Sequence, residues 1–210
     1  SNEFHFFTPS DSVQDVTLFA KYTLRADEMF LNRMIGGTFE GSNDPDFREK
    51  EVLYLINEKP KRLQTVVQSY SSKSYRYVRY IGPKDSHCNI AEAAFYTPND
   101  TASLKGKVIG TPGCFQKDGS HEYTNVFDGD VTTSFDYIES SGGWSGLDLG
   151  TPKQIGKIVY TPRNYDNYVC HGDDYELFYC SQDKWKSLGK QTSYADSLVY
   201  KNVPINVLLL

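Results

Sequence analysis

The apolar residues of this 210-residue chain recur mostly at every second position, in short runs rich in Val, Ile, Tyr and Phe. The runs are VTLFAKY (16–22), EVLYLI (51–56), LQTVVQSY (63–70), YRYVRYIG (75–82), AEAAFY (91–96), GKIVYTP (156–162) and DYELFYC (174–180). Period-two alternation marks half-buried strands, because successive side chains of a strand point to opposite faces. Clusters of Gly, Pro, Asn and Asp punctuate the runs: GSNDPD, GPKDS, TPND, SSGGW, NYDN and HGDD. These residues form or cap turns, so the runs are spaced as the strands of a sandwich are. Only residues 26–35, ADEMFLNRMI, carry a helical pattern. The pattern predicts an all-β protein.

A polar, proline-containing stretch, TPNDTASLKG at 97–106, is the best linker candidate. It predicts two tandem domains, 1–98 and 104–210, each near the common domain size of roughly 100 residues. A weak internal repeat supports the cut: FEGSNDPDF (39–47) resembles FYCSQDKW (178–185). Both read as an aromatic strand end, a turn held by side-chain-to-backbone bonds, and an aromatic that folds back onto the sheet. YRYVRYIG then corresponds in order to PINVLLL (204–210).

Composition removes several function classes. Hydrophobic residues make up 39% and charged residues 23%, which suits a chain that builds a core rather than a disordered one. The net charge is −5 and the basic residues are scattered, whereas a nucleic-acid partner requires a clustered basic face. No run approaches the ~20 apolar residues of a membrane span, so membrane insertion is not expected. The start, SNEFHFFTPSD, lacks the layout of a signal peptide, and the end, VPINVLLL, stops inside an apolar run. The chain therefore reads as a cut from a longer one. None of Cys88, Cys114, Cys170 and Cys180 forms a CxxC pair, so no zinc ribbon is indicated and free, mostly buried thiols are expected.

Three stretches carry candidate chemistry. In NVFDGDVTTSFDY (125–137), Asp128, Asp130 and Thr133 offer hard oxygen ligands, and the Val126 carbonyl adds another. Two readings stand open there: a structural calcium loop, or a turn in which Gly129 is left-handed and the aspartates cap it. In TPRNYDNYVCHGDDY (161–175), Arg163, Asn164, Tyr165, Asn167, Tyr168 and His171 combine donors, acceptors and flat rings. Sugars call for that mixture, since hydroxyls need paired hydrogen bonds and the apolar sugar face stacks on a ring. The alternative is a solvated loop with Arg163 in a structural ion pair. In PKDSHCN (83–89), Lys84, His87 and Asn89 form the equivalent rim of the first domain. Trp144 is expected to begin a core strand rather than serve as a sugar platform.

Enzyme signatures are poor. HEYTN (121–125) has Asn125 where a zinc-protease helix carries its second histidine, and no G-x-S-x-G elbow is present.

The order NVFDGDVTTSF, GGWSGLDLGTPKQIGKIVYTPR, DYELFYCSQDKWKSLG resembles the discoidin family, the coagulation factor type C or galactose-binding-like domains. The likeness covers about 105–210, while FEGSNDPDF, YRYVRYIGP and IAEAAFY resemble the later part of the family's domain. It is closest to tandem modules in surface glycan-use proteins of gut anaerobes. The resemblance implies jelly-roll β-sandwiches, a loop-end sugar site using Arg163, and a calcium between the DGD loop and the glutamate of the AE strand. Here that glutamate, Glu92, lies in the other predicted domain. The expected function is non-catalytic glycan binding, as the accessory region of a larger secreted, cell-surface or periplasmic protein. Two alternatives are a spacer or protein-interaction module for an absent catalytic domain, and a glycan-acting hydrolase built from two jelly rolls.

Overall fold

A computed structural model of the chain describes residues 9–19, 29–61, 64–164, 169, 172–195 and 197–210. Among these, twelve strands all pair antiparallel. The chain divides into a continuous unit, Tyr22–Asp166, and a discontinuous one made of Ser1–Lys21 and Asn167–Leu210.

The continuous unit holds two sheets. The first has the order β3 (Lys50–Leu55), β2 (Thr38–Ser42), β5 (Ser74–Ile81), β8 (Trp144–Gln154), β7 (Lys107–Gly110). The second has the order β4 (Thr65–Gln68), β9 (Lys157–Thr161), β6 (Glu92–Tyr96). Their inner faces share one core, with Phe39, Val78, Tyr80 and Leu147 from one sheet and Phe95, Ile158 and Tyr160 from the other. The Phe39 ring lies 5.1 Å from Tyr80, 5.2 Å from Tyr160 and 6.0 Å from Phe95, so it touches both sheets. The unit is β-sandwich-like, and the alternating runs of the sequence supply its inner faces.

The outer face of the five-stranded sheet is covered as well, which explains why YRYVRY is buried on both sides. Glu40 and Arg79 are direct cross-strand partners, and their side chains form a buried ion pair at 2.7 Å. Loop 43–49 returns over this face. Asp44 accepts the backbone N–H groups of Asp46 and Arg48 at 3.1 Å each, and Phe47 lies with its ring centroid 4.1 Å from the Arg79 guanidinium. Trp144 begins β8 as expected, but its ring packs on this outer face against Phe47 at 5.6 Å rather than in the core.

The boundary expected at 97–106 falls inside the continuous unit. β5 pairs with β8 and β6 with β9, so strands from both sides of that stretch share both sheets. Domains at 1–98 and 104–210 are thus replaced by the division at residues 22 and 166. The reason is chemical: Pro, Asn and Asp mark a turn between sheets as readily as a linker between domains. Here Thr97 Oγ1 donates to Asp100 at 2.6 Å and Leu104 N–H donates to the Phe95 carbonyl at 2.7 Å, which closes such a turn.

The discontinuous unit contains two two-stranded sheets among the described residues: β1 (Val13–Phe19) with β12 (Ser197–Pro204), and β10 (Asp174–Ser181) with β11 (Lys184–Thr192). Its own core comprises Val169, Leu177, Leu198, Tyr200 and Val203. The internal repeat does not carry over into this unit. FYCSQDKW forms a tight hairpin with Gln182 and Asp183 left-handed (φ 52° and 61°), and Trp185 stays 46% exposed instead of folding back. Cys88 and Cys114 are buried and free, Cys180 is free, and Cys170 lies outside the described residues. Burial pushes the Cys88 thiol up to about 12, which leaves it inert. Among the described residues no helix is long and apolar enough to cross a membrane.

Candidate functional site

The continuous unit assembles one polar cleft from five chain segments that the sequence scatters over 135 positions. The segments are the short helical turn at 29–32 with Arg33, the loop 83–89, the loop around Phe115, and the residues Asp136 and Arg163. The cleft has a volume of about 250 Å³. Asp136 is its anchor. This side chain is buried, its Oδ1 accepts the Asn89 amide at 2.6 Å, and its Oδ2 accepts Arg163 Nη1 at 2.5 Å. Arg33 Nη1 donates in turn to Asn89 Oδ1 at 2.9 Å. The relay Arg33–Asn89–Asp136–Arg163 therefore holds both guanidiniums in place. The Arg163 guanidinium also lies 5.0 Å from the buried Phe30 ring, a cation–π contact that fixes its other side.

His87 is positioned by a strained loop. Asp85, His87 and Cys88 have φ of 60°, 54° and 52°, a region that side-chain-bearing residues rarely occupy. Ser86 holds it, donating to the Pro83 carbonyl at 2.7 Å and accepting the Cys88 N–H at 3.1 Å. His87 Nδ1 meets the Tyr137 carbonyl at 2.9 Å. A carbonyl only accepts, so Nδ1 carries the proton and Nε2 is left for another partner. The Phe115 ring stands edge-on to His87 at 6.1 Å and is 59% exposed. An exposed ring beside fixed donors is a ready stacking surface.

The sequence-based sugar set is only partly described. Arg163 lines the cleft and forms the ion pair with Asp136 that the structural reading expected. Asn164 donates to the Val131 carbonyl at 2.7 Å, tying the end of β9 to the 125–137 loop. Tyr165, Asn167, Tyr168 and His171 lie outside the described residues. The rim expected at 83–89 contributes His87 and Asn89, in the same site as Arg163 rather than in a separate domain. Sequence reasoning missed Arg33, Phe115 and Asp136. No spacing rule links them, since the antiparallel β6–β9 pairing alone brings Arg163 beside the 83–89 loop.

The second locus is the 125–137 loop. Gly129 is left-handed (φ +86°), Asp128 Oδ1 accepts the Asp130 N–H at 2.7 Å, and Asp130 Oδ1 accepts the Thr132 N–H at 2.9 Å. Thr133 Oγ1 donates to Asp128 Oδ2 at 2.8 Å. These are the bonds of the capped-turn reading. The loop nevertheless meets Glu92, whose Oε1 accepts the Gly129 N–H at 2.9 Å. The glutamate that the sequence reading placed in another domain thus sits on the DGD loop. Burial first, and then a carboxyl–carboxyl bond with Asp128, pushes Glu92 up to about 8. The donor types fit a hard cation, with Glu92 and Asp128 as the charged pair. Asp130 and Thr133 have their side-chain oxygens engaged within the loop, and no group of three His, Cys, Asp or Glu side chains converges among the described residues.

Larger grooves, of about 420 and 440 Å³, run beside loop 43–51 and beside Trp144. Part of their charged lining is engaged, as Lys73 with Glu51 at 2.7 Å and Asp148 with Arg76 at 2.8 Å. The smaller cleft combines guanidiniums that keep free N–H groups with the exposed Phe115 ring. No protein-family model, curated protein or solved structure matches the chain.

Proposed function

We propose that this chain is a non-catalytic carbohydrate-binding module. The continuous unit would be a discoidin-like jelly roll and would serve as the accessory region of a larger secreted, periplasmic or cell-surface protein. The observation that carries this reading is the 250 Å³ cleft where Arg33, His87 and Arg163 surround the exposed Phe115 ring. Drug-sized ligands occupy pockets of roughly 300–1,000 Å³, so this cleft suits a single sugar ring at the end of a glycan. Phe115 would stack on the apolar sugar face, and the guanidiniums with His87 Nε2 would bond the hydroxyls. Asp136, buried and bonded to Asn89 and Arg163, would orient Arg163.

A structural calcium belongs to the same proposal. Glu92 and Asp128 would hold it, with the Val126 carbonyl and the loop oxygens of Asp130 and Thr133 completing the set. It would fix the loop that Asn164 ties to the end of β9. The test is a glycan array with the intact protein, with and without millimolar calcium. Hits on one sugar family that vanish in Phe115→Ala support the module. Arg163→Ala is the poorer probe, because stripping one partner from a buried pair costs roughly 3–5 kcal/mol and confounds binding with folding. A blank array moves the assignment to a spacer or protein-interaction module. The exposed Trp185 and Tyr194 of the discontinuous unit favour that second reading.

A further inference from the structure

We infer that the sugar this cleft takes is an acid sugar, whose carboxylate is received by Arg33 and Arg163. The inference rests on the carbohydrate reading and narrows it. Its ground is an imbalance of charge and of donors. Among the described residues lining the cleft, two guanidiniums face one carboxylate, in a chain whose net charge is −5. That carboxylate is saturated: Asp136 Oδ1 is held by Asn89 and Oδ2 by Arg163. Arg33 has no carboxylate partner among the described residues; its charge is answered only by the amide oxygen of Asn89 at 2.9 Å. It is half-buried, so water does not fully replace the missing counterion.

Each guanidinium carries five N–H donors, and one of each is engaged by these bonds. Asn89 contributes no free acceptor, since its Oδ1 accepts from Arg33 and its Nδ2 donates to Asp136. The cleft is therefore a donor-rich, cationic socket, in which Gln116 Oε1 and His87 Nε2 are the acceptors left beside the engaged Asp136. A neutral sugar brings hydroxyls that both donate and accept, so its accepting capacity is matched better than its donating capacity. A carboxylate brings acceptors only, in the planar pair that a guanidinium fork receives bidentately. The Asn89 relay holds Arg33 in register with Arg163, and Phe115 supplies the flat face for the ring that carries the acid group. The acid group, rather than the ring hydroxyls, is then the main specificity element.

The experiment is isothermal titration of the full chain with D-galacturonate, D-glucuronate and N-acetylneuraminate. Each is compared with its methyl ester, which keeps the ring and removes the charge, and acetate is titrated as the bare anion. Charge-assisted hydrogen bonds are about twice as strong as neutral ones, so at least one acid is expected to bind about tenfold tighter than its ester. Arg33→Gln is expected to bring that acid down to the affinity of the ester. Arg33→Lys, which keeps the charge and loses the fork, is expected to restore part of the difference. Thermal unfolding of both variants confirms that they are folded. Esters that bind as tightly as the acids overturn the inference and leave the carbohydrate reading standing. Acetate that binds as tightly as the acids, with Phe115→Ala without effect, also overturns it and identifies a plain anion site. Failure of acids and esters alike, beside a glycan array with neutral hits, overturns only the acid-sugar inference. The same failure beside a blank array overturns both.

Discussion

Glu92 shows how a single residue changes meaning once its neighbours are known. In the sequence it is the acidic position of a strand, remote from the DGD turn. In the fold it accepts the Gly129 N–H at 2.9 Å, and burial first, with Asp128 beside it, raises its pKa to about 8 from an ordinary 4.5. A carboxyl raised on folding favours the protonated native state. Its stabilising contribution is complete below about 4.5 and is lost as the pH climbs through about 8. In chelator, the thermal midpoint of the wild type is therefore expected to fall relative to Glu92→Gln between these two pH values. At pH 8, millimolar calcium is expected to raise the wild-type midpoint and to leave Glu92→Gln nearly unmoved. Parallel pH profiles for the two proteins would refute the carboxyl pair, and a calcium-blind wild type would remove the metal. Asp136 teaches the complementary lesson. Nothing in DYIES singles it out, because its role comes from Asn89 and Arg163, 47 and 27 positions away.

At the scale of elements, the alternating runs were legible because burial on one face imposes period two. Each of the seven runs overlaps a strand. The GSNDPDF turn was legible too, since Ser42, Asp44 and Phe47 act locally or on the adjacent sheet face. Strand partners were not legible. β5 pairs with β8 across more than sixty intervening residues, and no local pattern encodes that choice. The pairing leaves its mark on Gly146, which stands opposite Arg79 in the ladder. A Cβ there would collide with the Val78 carbonyl and the Arg79 side chain. Gly146→Ala is expected to force β5 and β8 apart and to destabilise the unit by about 1–3 kcal/mol, the usual cost of overpacking. Denaturant unfolding measures it, and a loss within about 0.5 kcal/mol, as for a neutral surface change, would contradict the register.

At the scale of the molecule, the segments on both sides of the 97–106 stretch that the sequence alone made look like two domains build one continuous unit. The pairings of β5 with β8 and of β6 with β9 join the two sides. A cut by composition therefore fell at the junction between the two halves of one sandwich. The fragment 22–166 is expected to unfold cooperatively on its own and to keep the cleft. Fragments 1–98 and 104–210 are expected to show no dispersed amide spectrum, since the first lacks β7, β8 and β9 and the second lacks β2 to β6 of the two sheets. A folded 1–98 would contradict the division. The central claim is that a glycan binds at the Arg33–His87–Phe115–Arg163 cleft. Amide hydrogen exchange of the intact chain, with and without the best glycan from the array, tests it most directly. Slowed exchange confined to residues 83–90, 113–117 and 135–137 is the expected result. Slowed exchange in 174–210 instead, with the cleft unchanged, would contradict it.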